Sequence, residues 1–247
     1  MKVNVFFLIV VVVVVSGLLY GAATPVSDIV PGLLHGALVS VPKLTYYRVV
    51  VSDGVVGLTA LADGRSLIGV NVVERLTELY LNVATKAPNG ITRIPAEITP
   101  DYINDLVKKC SGNNGLMLVA VDKTLRIVGA VSKHRGELAA FAHTLGGGTS
   151  LVHTDFGGKG TATELWRRFL ELVEAEFFDV FRVELYVRAS NDRAISIYEK
   201  AGFSIEGRLP GRILRDDGTL EADLIMGWLN QKATTCSMYS PKVVKGS

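Results

Sequence analysis

Two short stretches hold the residues best suited to do chemistry. The first is Val152-His153-Thr154-Asp155-Phe156-Gly157-Gly158-Lys159-Gly160-Thr161-Ala162, a glycine-rich turn that runs into an apolar-periodic segment. Such a turn leaves backbone N–H groups pointing outward with the positive end of a helix dipole behind them. That is a natural cradle for a pyrophosphate, and Lys159 adds a charge. The plainer alternative is an ordinary glycine-rich loop, which the stretch alone does not exclude. The second stretch runs from Val183 to Phe203. Val183, Leu185 and Val187 alternate as in a half-buried strand. Asn191 then offers an N-cap, Ala194, Ile195, Ile197 and Tyr198 line one side of a short helix, and Gly202 sits where a C′ glycine belongs. Tyr198 could be packing, as aromatic residues in such helices routinely are.

The spacing elsewhere predicts elements that would position both stretches. Tyr46 to Val51 reads as a first strand, and Val72, Leu76, Leu79, Tyr80 and Val83 fall at helical spacing. A second helix starts with Thr99 as cap and Pro100 at the first helical position, burying Ile103, Leu106, Val107 and Cys110. Leu116 to Val121 and Leu125 to Val131 form a hairpin. Another strand pattern runs from Leu138 to Val152, broken by Gly146-Gly147-Gly148, which suggests a bulge or a close backbone approach. A long helix covers Thr161 to Phe177, and strands at Arg208 to Arg215 and Glu221 to Leu229 join through Asp217-Gly218. The order is strand, two helices, three strands, helix, strand, helix, two strands: an α+β (mixed α/β) plan.

Composition narrows the partners. The chain has 247 residues and a net charge of only +2 with no run of like charges, so it lacks the basic footprint a nucleic-acid partner needs. Its two cysteines, Cys110 and Cys236, show neither metal-ligand spacing nor a disulfide framework. A Walker A loop would need glycine at position 153 and Ser or Thr after Lys159, where His153 and Gly160 stand. A dinucleotide fingerprint needs a different glycine spacing.

Asn191, Ala194, Tyr198, Gly202 and Phe203 together resemble the late motif of the GNAT superfamily of acetyl-CoA-dependent N-acetyltransferases. The glycine loop resembles that family's Q/R-x-x-G-x-G/A signature, with Gly160 and Ala162 at its last two motif positions. Gly157 stands where the family carries Gln or Arg, a side chain that helps fix the pyrophosphate. The resemblance covers residues 116–229. It implies a central, mostly antiparallel, splayed sheet flanked by helices, and direct acetyl transfer from acetyl-CoA to an amine without a metal. The acceptor class (protein N-terminus, lysine or small amine) stays open, as does a degenerate domain that binds CoA or a partner without turnover. The pantetheine arm is expected to pair with backbone at Leu151 and Val152. The cofactor site is expected to comprise Gly157, Gly158, Lys159, Gly160, Thr161, Ala162, Asn191, Ala194 and Tyr198. Tyr198 matches the tyrosine that protonates the departing thiolate, and Asn191 the family asparagine. Glu137 or His143 are the candidates for a general base. Asp155, Asp192 and Asp223 are expected at turns and on the surface, and His153 on the loop surface.

The chain opens on Met1-Lys2 and an apolar block over residues 3–23 ending in Gly21-Ala22-Ala23, which fits a signal peptide or a membrane anchor. A proline-bearing linker spans 24–43, the acetyltransferase domain 44–230 and a flexible tail 231–247. A membrane-held, cytosolic catalytic domain is the expectation. The secretory pathway, or a cytoplasmic protein with a mis-assigned start, is the alternative.

Overall fold

The computed structural model describes residues 43–67, 69–87 and 90–233. The expected signal or anchor, nearly all of the linker, most of the tail and Cys236 lie outside them. Among the described residues no helix is long and apolar enough to cross a membrane.

Among the described residues ten strands make one sheet. They are β1 (Thr45–Ser52), β2 (Val55–Ala60), β3 (Ser66–Leu67), β4 (Gly115–Val121), β5 (Ile127–Arg135), β6 (Thr144–Gly147), β7 (Ser150–Val152), β8 (Arg182–Arg188), β9 (Ser204–Leu214) and β10 (Leu220–Leu229). Four α-helices accompany them among these residues: α1 (Val72–Lys86), α2 (Pro100–Lys109), α3 (Thr161–Glu176) and α4 (Asp192–Lys200). The strand order is β3-β2-β1-β4-β5-β6-β8-β10-β9, with β7 on β5. Every pairing is antiparallel except β6 with β8. This is the mixed α+β plan the element order implied, with the mostly antiparallel sheet that the family resemblance implied.

Strand β4 shows how the core is divided. It is buried along its whole length, and its alternate residues serve two clusters, as a central strand with both faces covered must. Leu116, Leu118 and Ala120 join Leu165, Trp166, Phe169 and Val173 of α3 on one face. Met117, Val119 and Val121 join Leu76, Leu79 and Tyr80 of α1 and Ile103, Leu106 and Val107 of α2 on the other. Both helix starts are capped, the second as the sequence suggests: Asn71 Oδ1 accepts from Glu74 N at 3.1 Å and Thr99 Oγ1 from Tyr102 N at 3.1 Å.

Three details differ from the sequence expectation. Strands β2 and β3 lie outside the sequence expectation, although Asp53-Gly54 between β1 and β2 has positive φ at both residues (51° and 77°), the backbone of a type I′ turn. Leu125 is not in a strand but in the turn, at φ 63°. The single strand expected over 138–152 is a 3₁₀ turn at Ala139–Phe141 followed by β6 and β7. The break has a steric cause: a Cβ on Gly148 would lie 2.1 Å from Ser132 O, and one on Gly147 2.2 Å from the His134 ring.

That break opens the sheet. β6 pairs with β8 at only two positions, Thr144 with Arg182 and Leu145 with Val183. Beyond them β7 stays on β5 while β8 follows β10. The two strands therefore diverge, and the gap between them is where the site forms.

Candidate active site

In an antiparallel ladder, alternate residues turn both backbone groups toward the same neighbour. Thr149 O accepts from Ser132 N, and His153 N donates to Val128 O, so residues 149, 151 and 153 face β5. The N–H and C=O of Ser150 and Val152 are thereby turned toward the gap. Leu151, by the same alternation, spends its backbone groups on β5.

A cavity of about 680 Å³ lies beside this edge. The glycine turn lines it through Gly157, Gly158, Gly160, Thr161 and Ala162, and α4 through Arg193, Ala194 and Tyr198; Leu151, Val152 and Asn191 also line it. Gly158 and Gly160 adopt φ of 76° and 79°, open to glycine and strained for other residues. Gly160 is the N-cap of α3 and supplies no side chain, so the first-turn N–H groups are left for a ligand. Thr161 Oγ1 is buried with no hydrogen-bond partner. The turn is tied to α1 by Asn82 Oδ1, which accepts from Thr154 N (3.1 Å) and Thr154 Oγ1 (3.2 Å). An orphaned hydroxyl, free helix N–H groups and an unpaired strand edge together suit a long ligand with an anionic middle. Lys159 is turned away: its Nζ donates to Asp155 O at 2.8 Å, and the residue does not line the cavity.

A second cavity of about 720 Å³ shares Ser150, Trp166, Asn191 and Tyr198 with the first. Tyr198 is therefore at the junction. Its ring stacks edge-on against Trp166 (5.6 Å) and Phe203 (6.0 Å), and Trp166 Nε1 donates to Ser150 Oγ at 3.0 Å. Burial pushes the phenol up to about 12, and its hydrogen bond with Ser150 opposes this. The hydroxyl stays protonated at neutral pH. Asn191 caps α4, its Oδ1 accepting from Ala194 N at 3.1 Å, which fixes the turn between β8 and the tyrosine.

The second cavity holds charges that sequence reasoning missed. Lys133 is 3% exposed and its Nζ donates to Gly146 O at 3.3 Å. Other cations on the wall each have a carboxylate: Arg93–Glu97 at 4.0 Å, Lys109–Asp105 at 3.0 Å, Arg188–Glu221 at 3.1 Å and Arg212–Asp223 at 3.1 Å. Lys133 has none within that reach, and burial lowers its ammonium to about 8. Tyr80 Oη is also buried without a hydrogen-bond partner. Asp223, expected on the surface, is instead 6% exposed on β10, where burial raises its carboxyl. Asp155 and Asp192 are exposed as expected.

The expected base candidates sit elsewhere. Glu137 is exposed, His143 is half-buried, and neither lines either cavity. His153 is buried rather than on the loop surface; its Nδ1 accepts from Asp155 N at 3.2 Å, capping the Thr154–Phe156 turn. A lysine inside a strand carries no local signal of burial, and Lys133 reads simply as the polar end of a hairpin strand. Among the described residues no cluster of His, Cys, Asp or Glu could hold a metal ion.

Comparison with known proteins agrees with this architecture. Residues 85–203 match the family model described as the Acetyltransferase (GNAT) family. A GNAT-family acetyltransferase from Streptococcus pneumoniae superposes with a TM-score of 0.58 at 20% identity, over 64% of this chain and 93% of that one. The Salmonella typhimurium protein yncA, solved with its cofactor acetyl-CoA, gives 0.58 at 16% identity over 68% and 93%. A phosphinothricin acetyltransferase from Sinorhizobium meliloti in complex with acetyl-CoA gives 0.58 at 13% identity over 71% and 94%. These likenesses are to the fold. No curated protein sequence matches the chain.

Proposed function

We propose, from the premise that this chain belongs to the GNAT acetyltransferase family and is an N-acetyltransferase, that the smaller cavity takes acetyl-CoA and the larger takes the acceptor amine. The observation that carries this reading is the shared boundary: Ser150, Asn191 and Tyr198 line both cavities. Acetyl-CoA supplies an acyl group activated as a thioester. The backbone of Ser150 and Val152 pairs with its arm, and the turn from Gly157 to Thr161 receives its pyrophosphate. The acceptor approaches through the gap between β7 and β8.

A neutral amine is required for attack, so a group facing the acceptor must take its proton. Lys133 is the base in this reading. It lines the acceptor cavity without a carboxylate partner, and a lowered amine near the working pH is suited to the task. Asp223, held by Arg212, can hydrogen-bond the incoming amine. As the thioester bond breaks, Tyr198 Oη gives its proton to the leaving sulfur. The Sinorhizobium meliloti protein of similar fold is named a phosphinothricin acetyltransferase, and a cavity of about 720 Å³ suits a small amine here. The test is release of free CoA from acetyl-CoA with a panel of amino acids, polyamines and peptides. Release that depends on one amine class supports the reading, and release independent of every amine in the panel contradicts it.

A further inference from the structure

Gly157 occupies the first position of the family's signature loop, where the usual Gln or Arg would reach the pyrophosphate. Its backbone, at φ −65° and ψ 147°, is open to any residue, so conformation does not demand a glycine. Space does. A Cβ there would stand 3.1 Å from Arg193 Nη2 and 3.4 Å from Nη1, and one on Gly158 3.7 Å from Nη2. The Arg193 guanidinium, from the first turn of α4, therefore lies over both glycines and lines the cofactor cavity.

The electrostatics of this placement are unfavourable as they stand. Among the described residues Arg193 has no ion pair or hydrogen bond to its side chain, and Lys159 is turned to Asp155 O. A cation beside the N-terminal end of α3 faces the positive pole of that helix dipole. An anion between the two would be held by both, through charge-assisted hydrogen bonds from the guanidinium and the free N–H groups of the turn.

We propose that Arg193 holds the pyrophosphate of acetyl-CoA, supplying from α4 the side chain that the loop lacks at Gly157. The two positions are coupled: a long side chain at 157 and the arginine at 193 compete for one space. This rests on the reading that the smaller cavity takes acetyl-CoA.

The test is calorimetric binding of acetyl-CoA to the wild-type protein, Arg193→Ala, Gly157→Arg, and Gly157→Arg with Arg193→Ala. Activity with acetyl-pantetheine, which keeps the thioester arm but lacks the pyrophosphate, is measured alongside. Arg193→Ala should weaken acetyl-CoA binding about 10- to 100-fold, the range of one charge-assisted contact, and leave kcat/KM for acetyl-pantetheine within about twofold of wild type, since no charge-assisted contact to that donor is lost. Gly157→Arg alone should also weaken binding, and the double variant should recover most of the loss because the vacated space admits the new side chain. Wild-type affinity in Arg193→Ala overturns the inference while leaving the cofactor reading intact. An equal fall with acetyl-pantetheine overturns it too, because the defect would then lie in α4. A wild-type protein that binds no acetyl-CoA overturns both.

Discussion

In the proposed mechanism Tyr198 joins packing and chemistry in one side chain. Its ring is part of an aromatic cluster with Trp166 and Phe203, and its hydroxyl meets Ser150 where the cavities join. In that reading packing and catalysis are not competing explanations for it; the first aims the second. Tyr198→Phe keeps the ring and removes only the donor. Steady-state kinetics should show kcat lowered by about 10²–10⁴, the usual worth of a general acid, with acetyl-CoA affinity and melting temperature nearly unchanged. Turnover at the wild-type rate would leave Tyr198 a packing residue only. Lys133 makes a second, thermodynamic prediction. Its pKa falls from 10.5 to about 8 on folding, so between these values the unfolded chain holds more protons and wild-type stability rises with pH. Below about 8 both states are protonated and the penalty for the buried ammonium is complete. Lys133→Met should therefore stabilise the protein at pH 7 by as much as about 3 kcal/mol. That gain should shrink through the window and vanish above about 10.5, as chemical denaturation at several pH values will reveal. The same substitution should abolish a rise in kcat/KM through pH 8 if Lys133 is the base. A destabilised variant at pH 7 would mean the ammonium is compensated in the folded protein.

At the level of elements, the glycine turn and α3 act as one unit. Gly160 begins the helix at φ 79° with no protein atom within 4 Å of an added Cβ, so the protein itself leaves that side open. Gly160→Val places a branched side chain in the cradle and in a backbone region costing about 1–2 kcal/mol. Calorimetry should show acetyl-CoA affinity reduced more than about tenfold, by crowding of the N–H cradle, in a protein that still melts cooperatively. Unchanged affinity would remove the turn from the cofactor site. This unit was legible in the sequence because glycine spacing, helix periodicity and the Asn191 cap are local signals. So were Thr99-Pro100 at the start of α2 and the glycine run that breaks β6 from β7. The β1–β2 hairpin is marked equally well by a local signal, the Asp53-Gly54 turn.

Across the whole molecule, function depends on distances that no local pattern encodes. The gap exists because β6 leaves β8 after Leu145, and the two cavities exist because helices cover both faces of a sheet opened there. Lys133, Asp223 and Arg193 acquire their roles only from that assembly: a strand end sinks beneath a neighbouring carbonyl, a hairpin carboxylate turns inward, and a helix arginine fills the space over a loop glycine. The residues proposed from the motifs, Lys159 excepted, gather at the gap, whereas Glu137 and His143, chosen for type and for nearness in sequence to the central strands, do not. The central claim is that acetyl passes directly across the Tyr198 junction from one cavity to the other. Rapid-quench measurement with acetyl-labelled CoA thioester and an accepted amine tests it most directly. The account predicts label leaving the thioester and entering the amine with one and the same rate constant, with none retained on the protein. Label that accumulates on the protein before reaching the amine would contradict it.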